Sequence, residues 1–234
     1  MTTATVQREL RRLANPERAR ISQWFFQTGP GEYGAGDQFI GLTVPQLRKL
    51  ARQYRALSLT ETKRLLRSSI HEERLLALLI LVAAFARADA ASQQHIYQAY
   101  LQNTRYINNW DLVDSSAAQI VGAFLAQRSR MPLRQLARSD SLWERRIAII
   151  ATFHFIRHGE FLPTLAIARQ LLDDREDLIH KAVGWMLREV GKRDLPAEER
   201  FLRRHYRQMP RTMLRYAIER FPEPKRLRYL KGTA

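Results

Sequence analysis

The sequence predicts an all-α protein built as an α-solenoid, in which stacked helix pairs bury one continuous core. Three observations carry this expectation. Apolar residues recur with a 3.6-residue period along nearly the whole chain, and no stretch shows convincing strand alternation. Pro16, Pro45, Pro132, Pro196, Pro210 and Pro222 fall at or near the boundaries of the periodic segments, where proline is tolerated. The segments themselves also recur. EERLLALLIL from Glu72, WERRIAIIATF from Trp143, HKAVGWMLREV from His180 and MLRYAIER from Met213 align so that Arg74, Val113, Arg146, Lys181 and Arg215 are equivalent, at intervals of 39, 33, 35 and 34 residues.

In chain order, the pattern predicts helices over 3–14 and 16–27, then a glycine-rich loop, then 45–56 behind Pro45. Helices at 60–68 and 91–102 are assigned caps at Thr60 and Ser92, with the strongly apolar 71–87 between them. Next come 111–127, 132–138 and 142–157, the last capped by Asp140 or Ser141. The series ends with 161–172, 176–190, 197–207, 210–220 and 223–231. At 234 residues the array suits a single domain, 1–234.

Four of the five equivalent positions are basic. Equivalent positions of a solenoid share a surface, so they predict a cationic row along a groove. The composition agrees: 39 Lys and Arg against 23 Asp and Glu leave a net charge of +16, which calls for a polyanionic partner, nucleic acid first. With no cysteine, disulfides, thiolate–zinc sites and cysteine nucleophiles are excluded. No run of 18 residues is purely apolar, and MTTATVQRELRRL reads as a helix rather than a secretory signal, so a cytoplasmic protein without a membrane partner is expected.

Other chemistries fit poorly. The loop Thr28–Pro45 has five glycines but no preceding strand, Walker lysine or full dinucleotide spacing, so a turn or a flap is the better reading than a nucleotide site. His154 and His158 share a helical face, yet HFIRH lacks the glutamate of HExxH and no carboxylate cluster completes a metal site. No G-x-S-x-G elbow exists, and Glu72 and Glu73 read as first-turn carboxylates.

What remains is aromatic and acidic. In YINNWDLVDSSAAQIVG, Tyr106 to Gly122, Trp110 and Asp114 stand four apart and share a helix face. A structural reading makes Trp110 a hydrophobic staple, Asn109 or Asp111 the cap and Asp114 a first-turn charge. A functional reading notes that Trp143 with Arg146, and Trp185 with Arg188, repeat the aromatic-plus-charge pattern on later helices.

TGPGEYGAGDQFIGLTVPQLRKLA, NNWDLVDSSA, LWERRIAI and HKAVGWMLREVGK, in this order and across roughly residues 16–220, resemble the bacterial DNA alkylation repair glycosylases built from HEAT-like helical repeats, the AlkD family. The resemblance implies a HEAT-like solenoid, an α–α superhelix with a concave basic groove. It implies Asp114 as the catalytic carboxylate, with Trp110 and Trp185 flanking the lesion nucleotide and Arg146 on the adjacent phosphate. Arg188 is implied as a further phosphate contact, while Lys181 and Arg215 join the DNA-binding set through the basic row. Phe25, with Trp24 and Phe26 beside it, stands where the family often carries a tyrosine, which keeps an aromatic face but loses a hydroxyl. The family is also unusual in not needing to flip its base into a pocket, unlike most glycosylases.

The residue types suit that chemistry. A purine alkylated at N3 or N7 is cationic and leaves readily, so one carboxylate beside an oxocarbenium-like sugar suffices. Indole faces favour a charged base over a neutral one. The expectation is a monofunctional glycosylase acting on double-stranded DNA that contains 3-methyladenine or 7-methylguanine. It needs no metal or cofactor and acts as a monomer. The alternative is a non-catalytic helical-repeat module that binds DNA or RNA.

Overall fold

A computed structural model describes residues 1–234, and it is helical throughout, with no strand beyond one isolated bridge between Gln38 and Ile70. Two compact units make up the chain, residues 1–120 and 121–234.

The first unit holds α1 (Thr3–Arg12), α2 (Pro16–Phe25), α3 (Val44–Gln53), α4 (Leu59–Leu66), α5 (His71–Phe85), α6 (Ala90–Leu101) and the short α7 (Trp110–Asp114). Most starts are capped by local chemistry. Asn15 accepts from the Arg18 amide ahead of Pro16 at the first helical position, and Thr43 and Gln46 close a reciprocal capping box before Pro45. The caps of α4 and α6 are Ser58 and Asp89 rather than Thr60 and Ser92; each starts its helix earlier and takes the amide three residues on. The core of this unit is α5, which packs on α3, α4, α6 and α7. Its Leu75–Leu78, Ile80 and Leu81 are fully or almost fully buried, which is why its sequence is apolar nearly all round.

The second unit holds α8 (Ala123–Leu125), α9 (Met131–Leu136), α10 (Leu142–Ala151), α11 (Phe153–Arg157), α12 (Leu162–Gln170), α13 (Asp177–Gly191), α14 (Leu195–His205), α15 (Arg211–Ala217) and α16 (Glu223–Lys231). Here α13 is central, packing on α10 and α15 and on α12 and α14. The approach to α15 is close at Gly184, where a Cβ would lie 2.4 Å from the Met213 carbonyl oxygen. The helices that carry the sequence repeat are thus the ones that pack side by side: α5 with α7 in the first unit, and α10, α13 and α15 in the second.

Two expected helices are interrupted. The segment 111–127 breaks after Asp114 and continues through a π-wound stretch, Ala118–Gly122. The Ser115 and Ser116 hydroxyls both donate to the Leu112 carbonyl, at 3.3 and 2.6 Å, competing with the helical ladder. The segment 142–157 breaks at Thr152, whose hydroxyl donates to the Ile149 carbonyl at 2.6 Å.

Candidate functional site: an aromatic face on a buried charge network

The loop between α2 and α3 is held by an internal carboxylate. The amides of Ile40, Gly41 and Leu42 converge on Glu72 of α5, at 2.7 to 3.3 Å. This is an anion cradle of the kind a phosphate site uses, and a side chain of the protein fills it. Gly41 makes it possible. Its φ is +82°, and a Cβ there would lie 2.1 Å from the Asn15 carbonyl oxygen. Glu72 and Glu73 do sit in the first turn of α5, but both are buried, and Glu73 accepts from the Gln7 amide at 2.8 Å. A first-turn carboxylate ahead of so apolar a helix has nowhere to go but inward.

Beneath the loop lies a closed set of four charges. Asp37 accepts from Arg74 at 2.6 Å, from His71 Nδ1 at 3.1 Å and from Asn109 at 3.2 Å. His71 Nε2 donates to Asp111 at 2.8 Å. Both ring nitrogens therefore donate to carboxylates, so His71 is an imidazolium balanced, with Arg74, by Asp37 and Asp111. Burial alone would lower the His71 pKa; the Asp111 hydrogen bond and charge, with Asp37 behind them, instead hold it up at about 9. For Asp37, burial works against ionisation, yet His71 and Arg74 keep its carboxyl below the usual range. Arg74 is 3% exposed, so it belongs to this network and not to a surface row.

The imidazolium also supports an aromatic stack. Phe39 and Phe26 lie against the His71 ring at centroid distances of 4.6 and 4.9 Å. Phe26 stacks in turn on the Trp110 indole at 5.3 Å and 25°. Phe25 meets the same indole edge-on at 5.9 Å, and Trp110 Nε1 donates to the Tyr33 hydroxyl at 3.3 Å. Trp110 is half-buried, with its orientation set by two phenylalanines and a tyrosine from the loop. It is no staple.

The two aspartates of α7 have separate fates. Asn109 caps the helix by accepting from the Trp110 amide at 2.8 Å. Asp111, the other expected cap, accepts from the Leu112 amide at 2.9 Å through one oxygen and from His71 through the other. Asp114, last residue of α7, is partly exposed on the face of Trp110. Under it, the buried Tyr100 hydroxyl and the Ser116 hydroxyl share a 3.0 Å hydrogen bond. Burial, with the charge of Asp114 adding to it, pushes the Tyr100 phenol up, so it stays protonated.

In the second unit, Trp185 of α13 is half-buried beside Phe153, at 5.9 Å between centroids, and Arg157 lies over the Phe153 ring at 4.2 Å. Arg146 is 5% exposed and donates to the Leu178 carbonyl at 2.5 Å, tying α10 to α13. Lys181 pairs with Asp177 at 2.7 Å and Arg188 pairs with Glu219, whereas Arg215 is exposed on α15. The five equivalent positions do not form one exposed cationic row: Arg74, Val113 and Arg146 are buried, and Lys181 and Arg215 are the members open to solvent.

Tyr33, Asp37 and His71 join the site without being among the residues expected from sequence. One signal was available. The polar run His71–Arg74 precedes eleven apolar residues that fill a core, so its side chains begin inside as well.

Fold and site together define an all-helical repeat protein with an aromatic-and-carboxylate face. The chain belongs to the family of DNA alkylation repair enzymes, whose pattern it matches over residues 6–221. Membership sets it among enzymes of alkylation repair, for which DNA is the substrate. Among solved structures it is similar to a predicted DNA alkylation repair enzyme from Enterococcus faecalis, with a TM-score of 0.68 over 90% of this chain and 97% of that one. At 15% identity this likeness speaks for the fold. No curated protein sequence matches the chain. No helix is long and apolar enough to cross a membrane.

Proposed function

We propose that the protein is a monofunctional DNA glycosylase that removes N3- or N7-alkylated purines, such as 3-methyladenine and 7-methylguanine, and leaves an abasic site. One observation supports this most. On α7 the Trp110 indole, fixed by Phe26, Phe25 and Tyr33, shares a face with the partly exposed Asp114, while Asp111 is spent on the interior. A face that only needed a helix start would not need this second carboxylate.

The chemistry follows from the charges. The alkylated purine carries its positive charge on the ring that the glycosidic electrons will enter, so it departs as a neutral base without a strong general acid. The deoxyribose it leaves becomes oxocarbenium-like, and Asp114 stabilises that charge and orients the water that bonds to C1′. The indole of Trp110 attracts the cationic lesion and favours it over a neutral base by about 0.5–2 kcal/mol. Trp185 and Arg146 are assigned as the second indole and an adjacent phosphate contact. Phe25, Lys181, Arg188 and Arg215 are assigned to DNA binding. Phosphate contact then requires Lys181 and Arg188 to exchange their present carboxylates for DNA, and Arg146, 5% exposed and bound to the Leu178 carbonyl, to turn outward. The work is that of a monomer in the cytoplasm.

The test is incubation with duplex DNA methylated at guanine N7, scoring free base by chromatography. Release of 7-methylguanine with an alkali-labile abasic site supports the proposal. Tight binding without release assigns the chain to the non-catalytic alternative.

A further inference from the structure

The second unit carries a groove of about 640 Å³ that this chemistry does not use. It runs between α12 and α14, both of which pack on α13. Its floor is apolar, formed by Leu165, Ala166 and Phe201, and at its edge Leu162 is 80% exposed. Its walls are cationic. Arg169, Arg200 and Arg204 line it, and none of them is in an ion pair.

Two acids also line the groove and leave it net cationic. Glu160 is paired with Arg130 at 2.9 Å, and Asp194 caps α14 by accepting from the Ala197 amide at 2.9 Å. His205 lies against the Phe201 ring at 4.7 Å, and its Nδ1 is buried with no hydrogen-bond partner. Burial, then the nearby Arg169 and Arg204, keeps the imidazole below its usual range and therefore neutral at pH 7. The groove thus offers an apolar strip and three guanidiniums outside any ion pair, against one lining carboxylate, Asp194, that is not salt-bridged.

We propose that this groove docks an acidic amphipathic helix of a partner protein. The apolar face of that helix would lie on Leu162, Leu165 and Phe201, and its flanking carboxylates would meet Arg169, Arg200 and Arg204 in bidentate pairs. Size agrees: the nine residues of α12 and eleven of α14 give walls about 14 and 16 Å long, matching roughly three turns of a guest helix. A phosphodiester backbone would satisfy the arginines but leave the apolar strip wet, so the observations favour a peptide over nucleic acid.

The test uses the full chain and a fluorescein-labelled designed peptide of about 18 residues, with leucines at helical spacing and glutamates on both flanks. Anisotropy should report micromolar binding, weakened at least about tenfold in the Arg200→Glu/Arg204→Glu pair and in Leu162→Asp. The milder Leu162→Ala, with a wild-type melting curve, should show a smaller loss. The same peptide with lysines for glutamates should bind at least about tenfold more weakly. Duplex DNA binding should be unchanged in all three variants. No binding below about 1 mM, or binding indifferent to these substitutions, overturns the proposal. Displacement of the peptide by duplex DNA overturns it in favour of a nucleic-acid surface. Binding of phosphatidylglycerol vesicles that depends on the same residues overturns it in favour of a lipid surface. None of these outcomes depends on whether the chain excises bases.

Discussion

The Trp110 indole N–H donates to the Tyr33 hydroxyl across 3.3 Å, joining a loop residue to the aromatic face on α7. The resemblance places Phe25 where a tyrosine is common, with the hydroxyl lost. The structure supplies a hydroxyl to the same indole from eight residues further along.

Tyr33→Phe keeps the ring and removes that bond, which is worth about 0.5–1.5 kcal/mol. Base excision should slow by roughly three- to tenfold, while the melting curve stays near that of the wild type. A single-turnover rate equal to wild type would remove Tyr33 from the site.

Glu72 holds the loop that carries Tyr33. Glu72→Ala strands three amides and should cost on the order of 3 kcal/mol or more in chemical denaturation, with new proteolytic cutting in 28–43. Gly41→Ala should be as damaging, because its Cβ would meet the Asn15 carbonyl. Gly36→Ala, also at positive φ but with open space around it, should cost only about 1–2 kcal/mol. Equal effects at the two glycines would contradict the close approach.

The His71 network makes stability depend on pH in a defined direction. His71 is raised in the folded state from 6.5 to about 9, so its contribution is complete below pH 6.5 and is lost as pH rises through 9. The loss should amount to roughly 3 kcal/mol. Asp37 is lowered, so its contribution is lost as pH falls through the carboxylate range. Denaturation midpoints should therefore fall on both sides of a plateau near pH 5–6.5, and His71→Gln should flatten the alkaline side. An unchanged alkaline slope in His71→Gln would exclude the imidazolium.

Much of the helix order was legible from periodicity and proline placement, and α16 has the bounds expected from sequence. The misplacements have local causes. Ser58 and Asp89 displaced Thr60 and Ser92 because each pair lies within three residues and either could accept an amide. The breaks at Asp114 and Thr152 follow hydroxyls that take a backbone carbonyl, and a hydrophobic period does not register that competition. Arg74 was assigned to a surface row by register alone. Its burial depends on Asp37, 37 residues away in a loop with no periodicity. Trp110 and Asp114 were legible because a four-residue spacing on one face needs no tertiary information. Tyr33 was not, since a loop's path is set by long-range contacts such as Glu72.

The solvent-open cations Lys181 and Arg215, with Arg188, should set the salt dependence of DNA binding. Replacing all three by alanine should lower the slope of log affinity against log salt by up to about 0.9 per lost phosphate contact. An unaltered slope would argue against their contact with the backbone.

The most direct measurement is single-turnover excision of 7-methylguanine by Asp114→Asn. The rate should be about a hundredfold lower, with affinity for abasic-analogue DNA near that of the wild type. Excision at the wild-type rate would contradict the assignment of Asp114 as the catalytic carboxylate.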